Sequence, residues 1–332
     1  MATIKDVARL ANVSVATVSR VLNNSPRTTS ESRHAVKKAM DELKYHPNAN
    51  ARALSHSGNE TMGIVVGDLS SPFFGFMVKA VDQVAFDTGN FLLVGNGYHD
   101  EKRERKAIEQ LLRHQCASIV VHSMKLSDEE LQNFMAHVPG MVVINRTIPG
   151  YEYRCINLDN RFGAELATNH LLNNGHKSIA YIGSENEIFD SIERQQGYQD
   201  ALAQRGMTIE EHLIIKAAPN EVGGEKAVIE LLNQGRKFTG IVCYNDPMAA
   251  GALSALVDNN IKVPNQMSVV GFDDILIANY LQPQLTTIRY PIVDMATQAA
   301  RLAISLVHDE IRTDITNLFI PTLVRRYSVG QV

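Results

Sequence analysis

From Met62 onward the chain alternates between short runs of apolar, often β-branched residues and longer stretches with apolar positions every three or four residues. "MGIVVGDL", "NFLLVGNG", "ASIVVHS", "MVVINR", "CINLD", "SIAYIGS", "TGIVCYN" and "MSVVGFDD" read as buried strands. Between them, stretches such as "FFGFMVKAVDQVAFDTG", "EKRERKAIEQLLRHQC", "RFGAELATNHLLNNG", "RQQGYQDALAQRG", "GEKAVIELLNQG" and "DPMAAGALSALVDNN" carry a helical period, several closed by Gly. Strand and helix in alternation predict parallel α/β sheets. The strands are too many for one small sheet. Two doubly wound subdomains facing each other fit better, with a ligand held at the carboxyl ends of their strands.

The first 45 residues have a different pattern and predict three short helices. Thr3 caps the first, "IKDVARLA", with Ile4, Val7, Ala8 and Leu10 as its apolar side. "NVS" is a turn, and Ser14 caps "VATVSRVLN". Pro26 breaks the chain, and Ser30 opens a third helix with Ala35, Met40 and Leu43 on one face. Three short helices with a tight turn between the first two make a helix-turn-helix arrangement. "PNANARALSHSGNE", 47–60, is small and polar; its "NARALS" is too short to hold a helix alone. Fold class is therefore α/β: a three-helix head over 1–46, a linker over 47–60, and a two-subdomain body over 61–332.

Composition adds two constraints. Among 332 residues, 45% hydrophobic and 20% charged, no apolar run reaches membrane-spanning length. "MATIKDVARLANV" has no apolar core of a secretory signal. Cys116, Cys155 and Cys243 are far apart and form no C-x-x-C pair, so neither a disulfide framework nor a zinc knuckle is expected. The expected location is the cytoplasm, without membrane contact. Charge is uneven: the chain carries a net −4, yet residues 1–57 hold nine Lys/Arg against four Asp/Glu, a net +5. A basic head on an acidic body is the signature of nucleic-acid contact.

Enzyme motifs are missing. No phosphate-binding G-x-x-x-x-G-K-[ST], no G-x-G-x-x-G after a strand, no G-x-S-x-G and no H-E-x-x-H occurs. No catalytic residue, cofactor or metal is assigned, and His170 and His176 read as capping or packing residues. What remains are polar residues at strand ends: Asp68, Asn145, Arg146, Asn245, Asp246, Asp273 and Asp274. Asp246 before Pro247 reads as a helix cap. Asp68, Asn145, Asn245 and Asp273 converge on one crevice in a doubly wound fold, where amides and carboxylates suit a polyhydroxylated ligand. Arg194 adds a forked donor, and Phe73 and Phe74 offer an apolar ring face, with core packing the expected role of at least one.

At this point the chain resembles the lactose-repressor/galactose-repressor family of bacterial regulators over nearly its whole length. "ATIKDVARLANVSVATVSRVLNN", "YHPNANARALS", "GDLSSPFFGFMVKAV", "RQQGYQDAL", "YNDPMAAGAL", "SVVGFDD" and "QLTTIRYP" carry the resemblance in order. It implies a periplasmic-binding-protein-like body, with an N-subdomain over about 61–159 and 291–320 and a C-subdomain over about 160–290 and 321–332. It implies that Val15 and Ala16 open the recognition helix, that Arg20 contacts base or phosphate, and that Thr3, Ser14, Thr17, Ser19 and Asn23 contact the backbone or anchor helices. Asn48, Arg52 and Leu54 fall in its hinge helix, with Leu54 as a minor-groove wedge. Asn145, Arg194, Asn245 and Asp273 fall at effector-contacting positions, with Asp68 near one. Ile292 stands where some relatives place an aromatic, so Phe73, Phe74 or Tyr98 must stack on the sugar. The expected partners are a pseudo-palindromic operator and a second copy; no leucine-rich tail follows, so a dimer is expected. "NGYHDE" and "LTTIRYPIVDMATQAA" resemble most the galactose-responsive branch, implying D-galactose as the inducer. The alternative is a regulator for which another sugar or a purine-like effector is a corepressor.

Overall fold

A computed structural model describes residues 2–22, 25, 27–45, 61–235, 237–310, 312 and 314–332; the hinge stretch and Asn23 lie outside them. The chain forms two compact units, Met1–Glu60 and Thr61–Val332.

In the first unit, α1 (Ile4–Leu10), α2 (Val15–Leu22) and α3 (Ser30–Glu42) pack on one another. Thr3 caps α1 in a capping box: its hydroxyl meets the Asp6 carboxylate and amide, and Asp6 reaches back to the Thr3 N–H. Asn12 turns the chain at φ 53, a left-handed position that asparagine tolerates. Ser14 accepts from the Thr17 amide at 3.0 Å and so starts α2. The third helix is capped one residue earlier than the sequence suggested, by Thr29, whose hydroxyl accepts from Ser32 N–H at 3.2 Å. Val7, Ala8, Val18, Val21, Val36 and Ala39 form the core, with Met40 and Leu43 against it. Two expectations shift: Leu10 faces outward, and Val36 and Ala39, not Ala35, point inward on α3.

The second unit holds two six-stranded sheets. One has the order β11-β5-β4-β3-β1-β2, with β1 (Thr61–Val66), β2 (Phe91–Asn96), β3 (Ser118–Val121), β4 (Gly140–Ile144), β5 (Cys155–Leu158) and β11 (Leu318–Phe319), all parallel. The other has the order β12-β10-β9-β8-β6-β7, with β6 (Ile179–Ser184), β7 (Ile214–Ala217), β8 (Gly240–Cys243), β9 (Ser268–Asp273), β10 (Thr286–Arg289) and an antiparallel edge, β12 (Thr322–Val324). Alternate residues serve opposite faces. Met62, Ile64, Val120, Val142 and Ile144 join one apolar cluster, while Val65, Ile119, Val121 and Val143 join another.

Helices α4 (Pro72–Asp87), α5 (Glu101–Arg113) and α6 (Asp128–His137) flank the first sheet. The second is flanked by α7 (Asn160–Asn173), α8 (Phe189–Gln204), α9 (Glu221–Asn233) and α10 (Asp246–Asp258). The chain returns through α11 (Ile292–Val307), which packs on α4 and on β3, β4 and β5. The sequence pattern assigned β7 to no element, and none beyond Asp274; α11, β10 and the two terminal strands supply the last tie of each sheet. Among the described residues no helix is long and apolar enough to cross a membrane.

Candidate functional site

Two surfaces carry the predicted residues. On α2, Val18 and Val21 are buried, whereas Val15, Ala16 and Arg20 are exposed, with Thr17 and Ser19 half-buried. One side of the helix is thus anchored in the head and the other is free, and its small first residues let backbone approach a groove floor closely. Thr3 and Ser14 have their hydroxyls engaged in capping. Asn23, Asn48, Arg52 and Leu54, expected at the DNA, lie outside the described residues.

In the body, the strand order places a switch point in each sheet: β1 lies between β2 and β3, and β6 between β7 and β8. Loops leaving these carboxyl ends diverge and leave a crevice. A cavity of about 410 Å³ lies there, within the usual range for small-molecule sites. Asp68, Phe73, Phe74, His99 and His122 line it from the first sheet; Asp190, Arg194, Tyr244, Asn245 and Asp273 line it from the second. Asp68 accepts from Ser70 N–H and hydroxyl at 2.9 and 2.8 Å. Phe74 is buried, edge-on to Phe73 and His122, so it serves core and cavity at once; Phe73 also packs edge-on against Tyr290. Tyr98 reaches the rim, more than half exposed.

Arg194 organises the second wall. Its side chain is 3% exposed, Nε donates to Asn160 Oδ1 at 2.9 Å, and Nη1 donates to the Tyr244 carbonyl at 2.7 Å and to Asp273 Oδ1 at 3.4 Å. Its guanidinium carbon lies 3.6 Å from the Phe272 ring centroid. Burial would discharge it, but Asp273, Tyr244 and Asp190 together outweigh burial and hold it firmly cationic. Burial, opposed by Arg194 and aided by Asp190, pushes the Asp273 carboxyl up to about 7.

Six of the seven effector residues named from sequence line this cavity; Asn145 does not. At φ 63 its side chain turns back, donating to Asp190 Oδ2 at 3.2 Å and accepting from Asn160 at 2.9 Å, so it stands behind the wall. Asn245 lines the cavity, yet its amide is spent internally: Oδ1 caps α10 through Met248 N–H, and Nδ2 donates to the Pro219 carbonyl. This also corrects the cap expected of Asp246, which is the first residue of α10 and buried.

Sequence reasoning missed His99, His122 and Asp190. Asp190 precedes Arg194 by one helical turn and shares its face, a signal the spacing offered. His122 closes an apolar run as Asp68 does. Its loop is held by buried Glu104, whose carboxylate accepts from the Ser123 hydroxyl at 2.6 Å and from the amides of Met124, Lys125 and Leu126. Among the described residues, His99 Nδ1, His122 Nδ1, Asp190 Oδ1 and the Tyr290 hydroxyl are buried without a hydrogen-bond partner. Such groups are costly unless something else pairs with them.

Burial, with a smaller push from His99, lowers His122 to about 3. An unfolded histidine titrates near about 6.5, so between these values the unfolded chain binds a proton that the folded one refuses. Stability therefore falls as pH drops through that window, by roughly 1.4 kcal/mol per pH unit for one group. His122→Asn should flatten the slope of urea midpoint against pH; equal slopes in wild type and variant would refute the assignment.

The model of bacterial regulatory proteins of the lacI family matches residues 3–48, and that of the periplasmic binding protein-like domain matches 168–329. The HTH-type transcriptional regulator GalR of Escherichia coli (strain K12) is 59% identical over 330 residues, covering 99% of this chain and 96% of the relative. The chain belongs to the lacI family. This lacI-family protein is also 51% identical to the regulator GalS of Salmonella typhimurium, over 99% of this chain and 97% of the relative. A sugar-binding transcriptional regulator of the family from Escherichia coli, solved with phosphate, superposes with TM-score 0.75 at 31% identity, covering 83% of this chain and all of that one. The lac repressor dimer bound to operator, at 24% identity, shares the fold over 99% of both chains with TM-score 0.84. The chain is thus a DNA-binding transcriptional regulator with a helix-turn-helix head and a two-subdomain body of parallel sheets.

Proposed function

We propose that this regulator is a repressor of sugar metabolism or transport genes, released from its operator by a small sugar, D-galactose, held between the body subdomains. The observation that carries the sugar reading is the cleft itself, where three buried polar atoms from both walls, His99 Nδ1, His122 Nδ1 and Asp190 Oδ1, lack partners among the described residues around a cavity of about 410 Å³. Such atoms suit a ligand with hydroxyls on every side, and Phe73 supplies a ring face. In this reading residues 1–46 read DNA and 47–60 form a hinge that orders on the operator. Residues 61–332 bind effector and pair two copies, in the cytoplasm and by binding rather than catalysis. Val15 and Ala16 meet base edges, Arg20 meets base or phosphate, Leu54 opens a base step, and Thr3, Ser14, Thr17, Ser19, Asn23, Asn48 and Arg52 hold the backbone or anchor helices. A dimer matches its two-fold to a pseudo-palindromic site. Sugar favours a closed body, separates the hinges and lowers operator affinity, a coupling of about 1–3 kcal/mol or more.

The test is a gel shift with genomic fragments, with and without D-galactose, beside a thermal-shift panel of sugars and purines. Retarded fragments released by galactose, and a melting rise with galactose, are expected. Tighter retention with a purine would instead favour a corepressor. An affinity for DNA that does not fall with salt would remove the DNA-binding reading, since phosphate contacts release counterions.

A further inference from the structure

Asp246 is fully buried, yet it neither caps α10, which Asn245 does, nor lines the cavity. Its Oδ2 accepts from the Ile275 amide at 2.8 Å, and Oδ1 pairs with the buried Thr287 hydroxyl. β9 makes room for it: a Cβ at Gly271 would lie 2.3 Å from Asp246 Oδ1. The segment so tied is the turn leaving β9, where Asp273 and Asp274 take φ 108 and 56 in succession. Neither is glycine, and such conformations are strained and persist only where the surroundings impose them. On the far side Asp274 is pinned by Arg289 at 2.8 Å and Arg326 at 2.6 Å.

We propose that Asp246 is a positioning residue for the effector site: by tying Ile275 to Thr287 it imposes the left-handed turn that aims Asp273 at Arg194 and the cleft. The inference rests on reading the cleft as the effector site. Burial, with Asp273 adding to it, pushes the Asp246 carboxyl well above the usual carboxylate range, so an amide is its near equivalent. Asparagine offers an oxygen to the Ile275 amide and an N–H to the Thr287 hydroxyl; alanine offers neither.

The test compares wild type, Asp246→Asn, Asp246→Ala and Thr287→Val by hydrogen exchange of the 273–276 segment and by calorimetric titration with D-galactose, with circular dichroism as fold control. Asp246→Ala should expose the Ile275 amide to fast exchange and raise the galactose Kd tenfold or more. Asp246→Asn should restore both, and Thr287→Val should fall between. Wild-type exchange and Kd in Asp246→Ala, or an Asn variant as impaired as the Ala variant, overturns the proposal. Should Asp246→Ala not fold, the Asn and Val variants decide. Wild type that binds no galactose would sink the galactose reading, while the exchange comparison still decides the role of Asp246.

Discussion

Arg194→Ala is expected to lose its response to effector and to melt well below wild type, while the head, a separate compact unit, keeps its fold and its operator affinity. The substitution removes the cation from a buried set that includes Asp273, Asp190 and the Tyr244 carbonyl. Breaking a buried pair typically costs about 3–5 kcal/mol, because the partner charge stays behind unpaired. In a domain this large each kcal/mol shifts the midpoint by roughly 2–4 °C, so a fall on the order of 10 °C is expected by calorimetry. Losing about 3 kcal/mol of the site's interactions weakens effector binding on the order of 100-fold. Arg194→Lys should rescue little. A point charge neither spans Asn160, Tyr244 and Asp273 nor lies flat on Phe272. A variant that melts with wild type and still releases operator on adding sugar would take Arg194 out of the site.

The alternation of strand and helix was legible because parallel strands buried on both faces read as continuous apolar runs, as in "SIVV", "GMVVI" and "GIVC". β10 was not, because "TTIR" looks like surface. Thr286 and Thr287 are fully buried, and their hydroxyls are satisfied by the Arg326 amide and the Asp246 carboxylate, partners far away in sequence. β11 and β12, of two and three residues, are too short for any period to show. At the cleft, Asp68, Asn245 and Asp273, polar residues that close apolar strands, line the cavity. Asn145 does not, its amide being spent on Asp190 and Asn160, partners that no local pattern announces. His99 lies in the turn three residues past the end of β2, off the strand itself, so no pattern marked it; the fold carries it into the same cavity lining as Asp190.

Gly251→Ala should destabilise the body by more than an ordinary surface change and loosen the cleft with it. A Cβ there would lie 1.8 Å from the Glu221 carbonyl oxygen and 2.9 Å from the Glu225 nitrogen; across the same contact, one at Gly224 would lie 2.0 Å from the Met248 oxygen. All these neighbours are backbone, so no rotamer change relieves the overlap and α9 and α10 must part. Alanine gains about 1 kcal/mol in helix propensity over glycine. Overpacking costs typically about 1–3 kcal/mol, and a clash against rigid backbone lies at or beyond the upper end, so the net sign is destabilising. The starts of these two helices carry Asn220, Glu221, Asn245 and Pro247 to the rim of the cavity, so effector affinity should fall as well. Gly75→Ala is the matched control: it lies within α4 with no neighbour among the described residues within 4 Å of a new Cβ, and should gain about 0.5–1 kcal/mol. Urea midpoints for the two variants should move in opposite directions; a Gly251→Ala protein as stable as wild type would show that α9 and α10 do not meet backbone to backbone.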